Sequence, residues 1–130
     1  MVCPKILLVE DSPTYAELAT ILLEANGWTV IRAPTADLGL RLAQEEAPDL
    51  VLLDMHLPGT DGFRVVRHLK EDPRTSDIPT IGMTADSVGN EEERAVARKA
   101  GFDAYVTKPV NESDFAALVA PYLVPRRAAP

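Results

Sequence analysis

Only one cysteine, Cys3, occurs in the 130 residues, so no disulfide can close within the chain and a reducing compartment suits it. Basic residues are outnumbered: thirteen Lys and Arg stand against twenty Asp and Glu, a net charge of -7. A field of that sign repels a nucleic-acid backbone at long range, so direct nucleic-acid binding is not expected, while cations are drawn to any cluster of carboxylates. No uncharged run approaches the roughly 18 apolar residues of a membrane span. The start of the chain lacks the basic stretch, apolar run and small-residue cleavage site of a signal peptide, and a cytoplasmic location without membrane contact is expected. Neither His56 nor His68 has a partner histidine at metal spacing, and no Walker-type lysine follows Gly59 or Gly62. Internal repeats and low-complexity segments are also missing.

What is present is a core-forming chain, 46% hydrophobic and 25% charged, of a length that fits one domain. Short apolar runs alternate with amphipathic stretches five times over. Lys5–Val9 reads as the first strand, and Ser12 and Pro13 open a helix that runs to Asn26 and stops at Gly27. Trp28–Arg32 is the second strand, Thr35 caps a second helix reaching Ala47, and Pro48 ends it. Asp49–Asp54 is the third and most apolar strand. Pro58, Gly59, Asp61 and Gly62 mark a loop before a helix carrying Phe63, Val65, Val66 and Leu69. Pro79–Met83 is the fourth strand, Glu91–Ala100 a fourth helix stopped by Gly101, Asp103–Val106 the fifth strand, and a fifth helix begins near Asn111. Strands joined by crossover helices of this length imply an α/β sandwich, a parallel sheet covered on both faces. The first and third strands are apolar on both sides, as double coverage demands. Residues 125–130 lack a core-forming pattern and read as a loose tail after a domain spanning 1–124.

The chemistry-bearing residues fall at strand ends. Glu10 and Asp11 follow the first strand, and Asp54 ends the third. Ligands of open parallel sheets bind beyond the carboxyl ends of the strands, where the winding switches direction. With the first and third strands adjacent, three carboxylates meet there, a repulsive cluster unless a cation joins it, and all-oxygen donors of this kind suit Mg²⁺. Thr84 supplies a hydroxyl and Lys108 a positive charge at the same edge. A metal, a carboxylate nucleophile and positive charge are the requirements of phosphoryl transfer to an aspartate.

Glu10-Asp11, Asp54, Thr84-Ala85 and Tyr105-Val-Thr-Lys108-Pro109, in order at strand-length spacing, resemble the receiver domain of two-component response regulators. The resemblance covers about residues 5 to 123. It implies a doubly wound, flavodoxin-like five-stranded sheet in the order 2-1-3-4-5, with helices on both faces. It implies Asp54 as the phosphoacceptor and a Mg²⁺ site, open to Mn²⁺ as a substitute, made by Asp11, Asp54 and the backbone carbonyl of His56, with Glu10 helping through water. Lys108 would pair with the phosphoryl oxygens, Thr84 would bond one of them on activation, Tyr105 would turn inward as the aromatic switch, and Pro109 would follow a cis peptide. The implied partners are a sensor histidine kinase or histidine phosphotransferase as donor and a downstream protein as target, reached through the surface of the fourth helix, fifth strand and fifth helix. The implied protein is a monomer or a weak phosphorylation-dependent dimer, a switch and not a turnover enzyme. With no effector domain after residue 124, output is expected through contact with another protein unless the chain is a fragment. The alternatives are a haloacid-dehalogenase-like phosphatase, whose second aspartate is replaced here by His56, and a pseudo-receiver that binds without being phosphorylated.

Two finer expectations concern single side chains. At 100° per residue, Thr14, Leu18, Ile21 and Ala25 share one face of the first helix. That face is expected to pack on the sheet, leaving the stripe of Tyr15, Ala19 and Leu22 to dock a helix of the phosphodonor. His56 and Asp86, each two residues past a site residue, are expected to face each other across the pocket mouth and shield the phosphoryl group from water.

Overall fold

The computed structural model of the chain describes residues 4–60, 62–84, 95, 98–107 and 112–123. Five parallel strands form one sheet in the order β2-β1-β3-β4-β5: Lys5–Val9 (β1), Thr29–Ala33 (β2), Leu50–Asp54 (β3), Thr80–Thr84 (β4) and Ala104–Thr107 (β5). Between them run helices Pro13–Glu24 (α1), Ala36–Glu46 (α2) and Gly62–Glu71 (α3), and a C-terminal helix Glu112–Val119 leads into a 3-10 turn at Ala120–Leu123. The helix expected over Glu91–Ala100 is helical at residue 95 and over residues 98–100, and the rest of it lies outside the described residues.

The sheet is apolar on both sides because both sides are covered. Leu7, Val9, Val51 and Leu53 pack with Val65, Val66 and Leu69 under α2 and α3. Ile6, Leu8, Leu50, Leu52, Ile81 and Met83 pack with Ala16, Ala19 and Leu23 of α1 and with Val119 and Leu123. Every residue of β3 and β4 is buried, which explains why β3 reads as a continuous apolar run.

Four of the five strands start one residue later than the sequence pattern predicts, and at β3 and β5 the residue before the strand serves as an entry. Asp49 and Asp103 show how. The Asp49 N–H donates to Lys5 O at 2.8 Å while its carboxylate accepts the Lys5 N–H at 2.9 Å. Asp103 repeats the arrangement on Thr80, donating to its carbonyl at 2.8 Å and accepting its N–H at 2.8 Å. Each aspartate thus satisfies the otherwise open start of a neighbouring strand.

Helix α1 reverses the expectation for its faces. Ala16, Ala19 and Leu23 are its buried positions, with Tyr15 and Leu22 packed beside them. Leu18 and Ile21, expected against the sheet, are 41% and 55% exposed. The two stripes adjoin on the helix, and the small Ala16 and Ala19 let α1 approach the sheet closely where Leu18 could not fit. Ser12 caps α1 as predicted, its hydroxyl accepting the Tyr15 N–H at 3.3 Å. Thr35 caps α2 in the same way through the Leu38 N–H at 3.2 Å.

Candidate functional site

The register of β1 and β3 pairs Val9 with Leu53, so the residues that follow, Glu10 and Asp54, emerge side by side at the carboxyl edge. Glu10 and Asp54 are the only buried ionisable side chains among the described residues, each 4% exposed. Burying carboxylates in this way costs several kcal/mol unless they are neutralised or hydrogen-bonded. Backbone donors offset part of that cost. The Ser12 N–H donates to Glu10 Oε2 at 3.0 Å, and the His56 N–H donates to Asp54 Oδ1 at 3.0 Å. Exposed Asp11 completes the group, and one carboxylate oxygen from each of Glu10, Asp11 and Asp54 lies within 4.8 Å of the others.

That donor set fits a hard divalent cation: the oxygens are anionic, clustered, and open to solvent on the Asp11 side, leaving room for retained water. Among the described residues no histidine ring or cysteine belongs to the group. Thr84, at the end of β4 and 7% exposed, reaches the same edge, because β4 lies beside β3 with Met83 opposite Asp54. The His56 ring is turned toward it, with Nε2 3.5 Å from Thr84 Oγ1. Lys108, Pro109 and Asp86 lie outside the described residues, so the expected lysine contact, proline bond and His56–Asp86 pair fall there too.

Tyr105 stands beside Gly82 in the β4–β5 register and is half-buried. Its ring stacks on Phe102 at 5.7 Å between centroids and 27° between planes, and Phe102 meets Phe63 edge-on at 5.9 Å and 85°. Sequence reasoning missed this frame. Phe63 and Phe102 are far apart in the chain, and nothing in their local pattern shows that the β4–β5 pairing brings them to Tyr105.

A Cβ at Gly62 would stand 2.9 Å from the Met55 Cα, so only glycine lets the start of α3 close over the residue after Asp54. The Gly62 N–H donates to Met55 O at 3.1 Å, which fixes the loop bearing His56. Among the described residues no helix is long and apolar enough to cross a membrane.

Comparison with known proteins agrees with this architecture. Residues 6–120 match the response regulator receiver domain family. The chain is 40% identical to protein PilH of Pseudomonas aeruginosa over 108 residues, covering 83% of this chain and 88% of PilH. It is 37% identical to the phosphate regulon transcriptional regulatory protein PhoB of Escherichia coli over 115 residues, 88% of this chain but 49% of PhoB. It therefore spans about half the length of that relative. A CheY-like receiver domain protein from Methanospirillum hungatei superposes with a TM-score of 0.83 at 28% identity, covering 94% of each chain. The receiver domain of the sensor histidine kinase PA1611 from Pseudomonas aeruginosa, solved with magnesium in its active-site cleft, superposes with a TM-score of 0.83 at 24% identity over 94% of this chain and 98% of that one. Carboxylates converging beyond β1 and β3, the 2-1-3-4-5 sheet and these likenesses agree: the chain belongs to the response regulator receiver domain family of two-component signalling.

Proposed function

We propose that this chain is a phosphorylation switch whose acceptor is Asp54. The observation that carries the reading is the convergence of the Glu10, Asp11 and Asp54 carboxylates, with Asp54 buried at the end of β3 and backed by the His56 N–H. Asp11, Asp54 and the His56 carbonyl would hold Mg²⁺, or Mn²⁺ in its place, with Glu10 assisting through water. Bound there, the cation neutralises charge on the phosphoryl oxygens.

A carboxylate oxygen of Asp54 attacks phosphorus, its lone pair forming the new O–P bond. The P–N bond of a donor phosphohistidine breaks, and its electron pair stays on the imidazole. Glu10, tied to the Ser12 N–H, keeps its place beside Asp54 and so holds the entry geometry. The Thr84 hydroxyl turns to donate to a phosphoryl oxygen, and Lys108 pairs with another. Tyr105 follows Thr84 inward, remodelling the surface around β5 and the C-terminal helix that a downstream protein reads. The Asp54 acyl phosphate is hydrolysed slowly, water taking the phosphoryl group and leaving the carboxylate, without the repeated turnover of a phosphatase.

The donor is a histidine kinase or histidine phosphotransferase, and it docks on α1. The docking face is not the Tyr15, Ala19 and Leu22 stripe, which is packed against the core, but Leu18 and Ile21. Exposed branched side chains one turn apart beside the acidic edge suit the apolar stripe of a partner helix. The test is uptake from acetyl phosphate. Wild type gains one phosphoryl group only when Mg²⁺ is present, and Asp54→Asn, nearly isosteric but not nucleophilic, gains none while keeping its fold. Stoichiometric uptake by Asp54→Asn would overturn the reading.

A further inference from the structure

Gly82 occupies the middle of β4 on the α2–α3 side of the sheet, a position where a strand gains from a side chain and loses stability with glycine. The surroundings show what the missing side chain makes room for. A Cβ built at Gly82 would lie 3.0 Å from Met55 Sδ, 3.1 Å from Phe102 Cε1 and 3.1 Å from Tyr105 Cδ1. Three side chains converge on the space that any other residue would fill: the residue after Asp54, the buried ring of the aromatic frame, and the tyrosine proposed above as the switch.

These neighbours differ in what they can give up. Met55 has three rotatable bonds and a soft thioether, so its tip can shift at little cost. Phe102 is 3% exposed and held edge-on by Phe63, so it stays. Tyr105 is only half-buried, the less enclosed of the two stacked rings. A methyl at position 82 is met by Met55, which yields cheaply, and by the two stacked rings, of which the less buried Tyr105 gives way before Phe102.

We infer that Gly82 is a positioning residue, the seat that lets the Tyr105 ring lie inward on Phe102. Stacking on Phe102 in that seat favours the inward state and so lowers what phosphorylation must supply. Because ligand and conformation act on one equilibrium, the effect runs both ways: filling the seat weakens binding of a phosphoryl mimic at a site Gly82 does not touch. The inference rests on the proposal that Tyr105 moves inward on activation, and the test separates the two.

The measurement is the affinity for beryllofluoride with Mg²⁺, in wild type, Gly82→Ala, Tyr105→Ala and the double variant. Alanine suits a strand better than glycine does, so Gly82→Ala is expected to fold. Its affinity for the mimic should fall about fivefold, the scale of a modest overpacking cost. In the Tyr105→Ala background the same substitution should have no effect, since the ring it displaces is gone. An unchanged affinity in Gly82→Ala, or an equal loss in both backgrounds, would overturn the seat, the second outcome assigning the effect to Met55 or the strand. Ring-proton NMR of Tyr105 in wild type tests the underlying switch: a ring indifferent to beryllofluoride removes both proposals, whereas a responding ring with unchanged Gly82→Ala affinity removes only the seat.

Discussion

At the residue scale, the acidic side chains divide into those that serve chemistry and those that hold loops. Glu10 and Asp54 are buried beside a third carboxylate, an arrangement that repels itself and has no value to the fold alone. Asp72 is the contrasting case. Both its oxygens take the Arg74 guanidinium, at 3.1 and 2.9 Å, and they also accept the Arg74 N–H at 2.9 Å and the Gln44 amide at 3.0 Å. The hydrogen bonds from the Arg74 side chain, then its backbone, hold the Asp72 carboxyl below its ordinary value of 3.8, and the Arg74 guanidinium is raised in turn. A depressed carboxyl contributes stability that is complete above its unfolded value and is lost as pH falls through the folded one. The thermal midpoint should therefore drop on acidification below about pH 4, and Asp72→Asn should lower it at neutral pH while flattening that acid limb. Parallel pH profiles for the two proteins would show that the Asp72 network contributes nothing. The acceptor and its neighbours were legible as single residues because each stands just past an apolar run. Asp72 was not, since its partners lie on α2 and in its own loop.

At the element scale, α1 shows where periodicity stops being informative. Its two apolar stripes are adjacent, and residue spacing alone does not say which one meets the sheet. Size decides it: Ala16 and Ala19 permit close approach, and Leu18 and Ile21 are left outside. Ile21→Glu should slow phosphotransfer from a phosphohistidine donor protein by about tenfold, the scale of an interface anchor. It should leave uptake from acetyl phosphate and the melting temperature unchanged, whereas equal slowing with both donors would place Ile21 outside any docking face. The end of α2 carries a second lesson. The sequence places the stop at Pro48, and the residue before it, Ala47, takes the left-handed conformation at φ 47°. For alanine that conformation costs about 1 kcal/mol or more, so Ala47→Gly should raise stability by up to about 1 kcal/mol in denaturant unfolding. A destabilised variant would mean that unfolded-chain entropy outweighs the strain. The starts of β3 and β5 slid by one residue because Asp49 and Asp103 act as sheet ends, a role set by the neighbouring strand and invisible in the local run.

For the whole molecule, the alternation of strands and helices predicts the layered α/β fold and the edge at which function gathers. The sheet order puts Asp54 between Glu10 on one side and Thr84 on the other. What the sequence could not show is the packing of distant elements: the aromatic frame around Tyr105 and its close approach to Gly82 exist only once β4 and β5 are paired. Family membership sets aside the haloacid-dehalogenase alternative, and it leaves the phosphorylation of this chain as the claim on which the rest depends. The direct measurement is the position of the phosphoryl group. The protein is treated with acetyl phosphate and Mg²⁺, reduced with borohydride so that an aspartyl phosphate becomes homoserine, and mapped by tandem mass spectrometry. Homoserine at position 54 alone is the predicted result; a phosphoryl group on any other residue, or none in a folded protein with Mg²⁺ present, would contradict it.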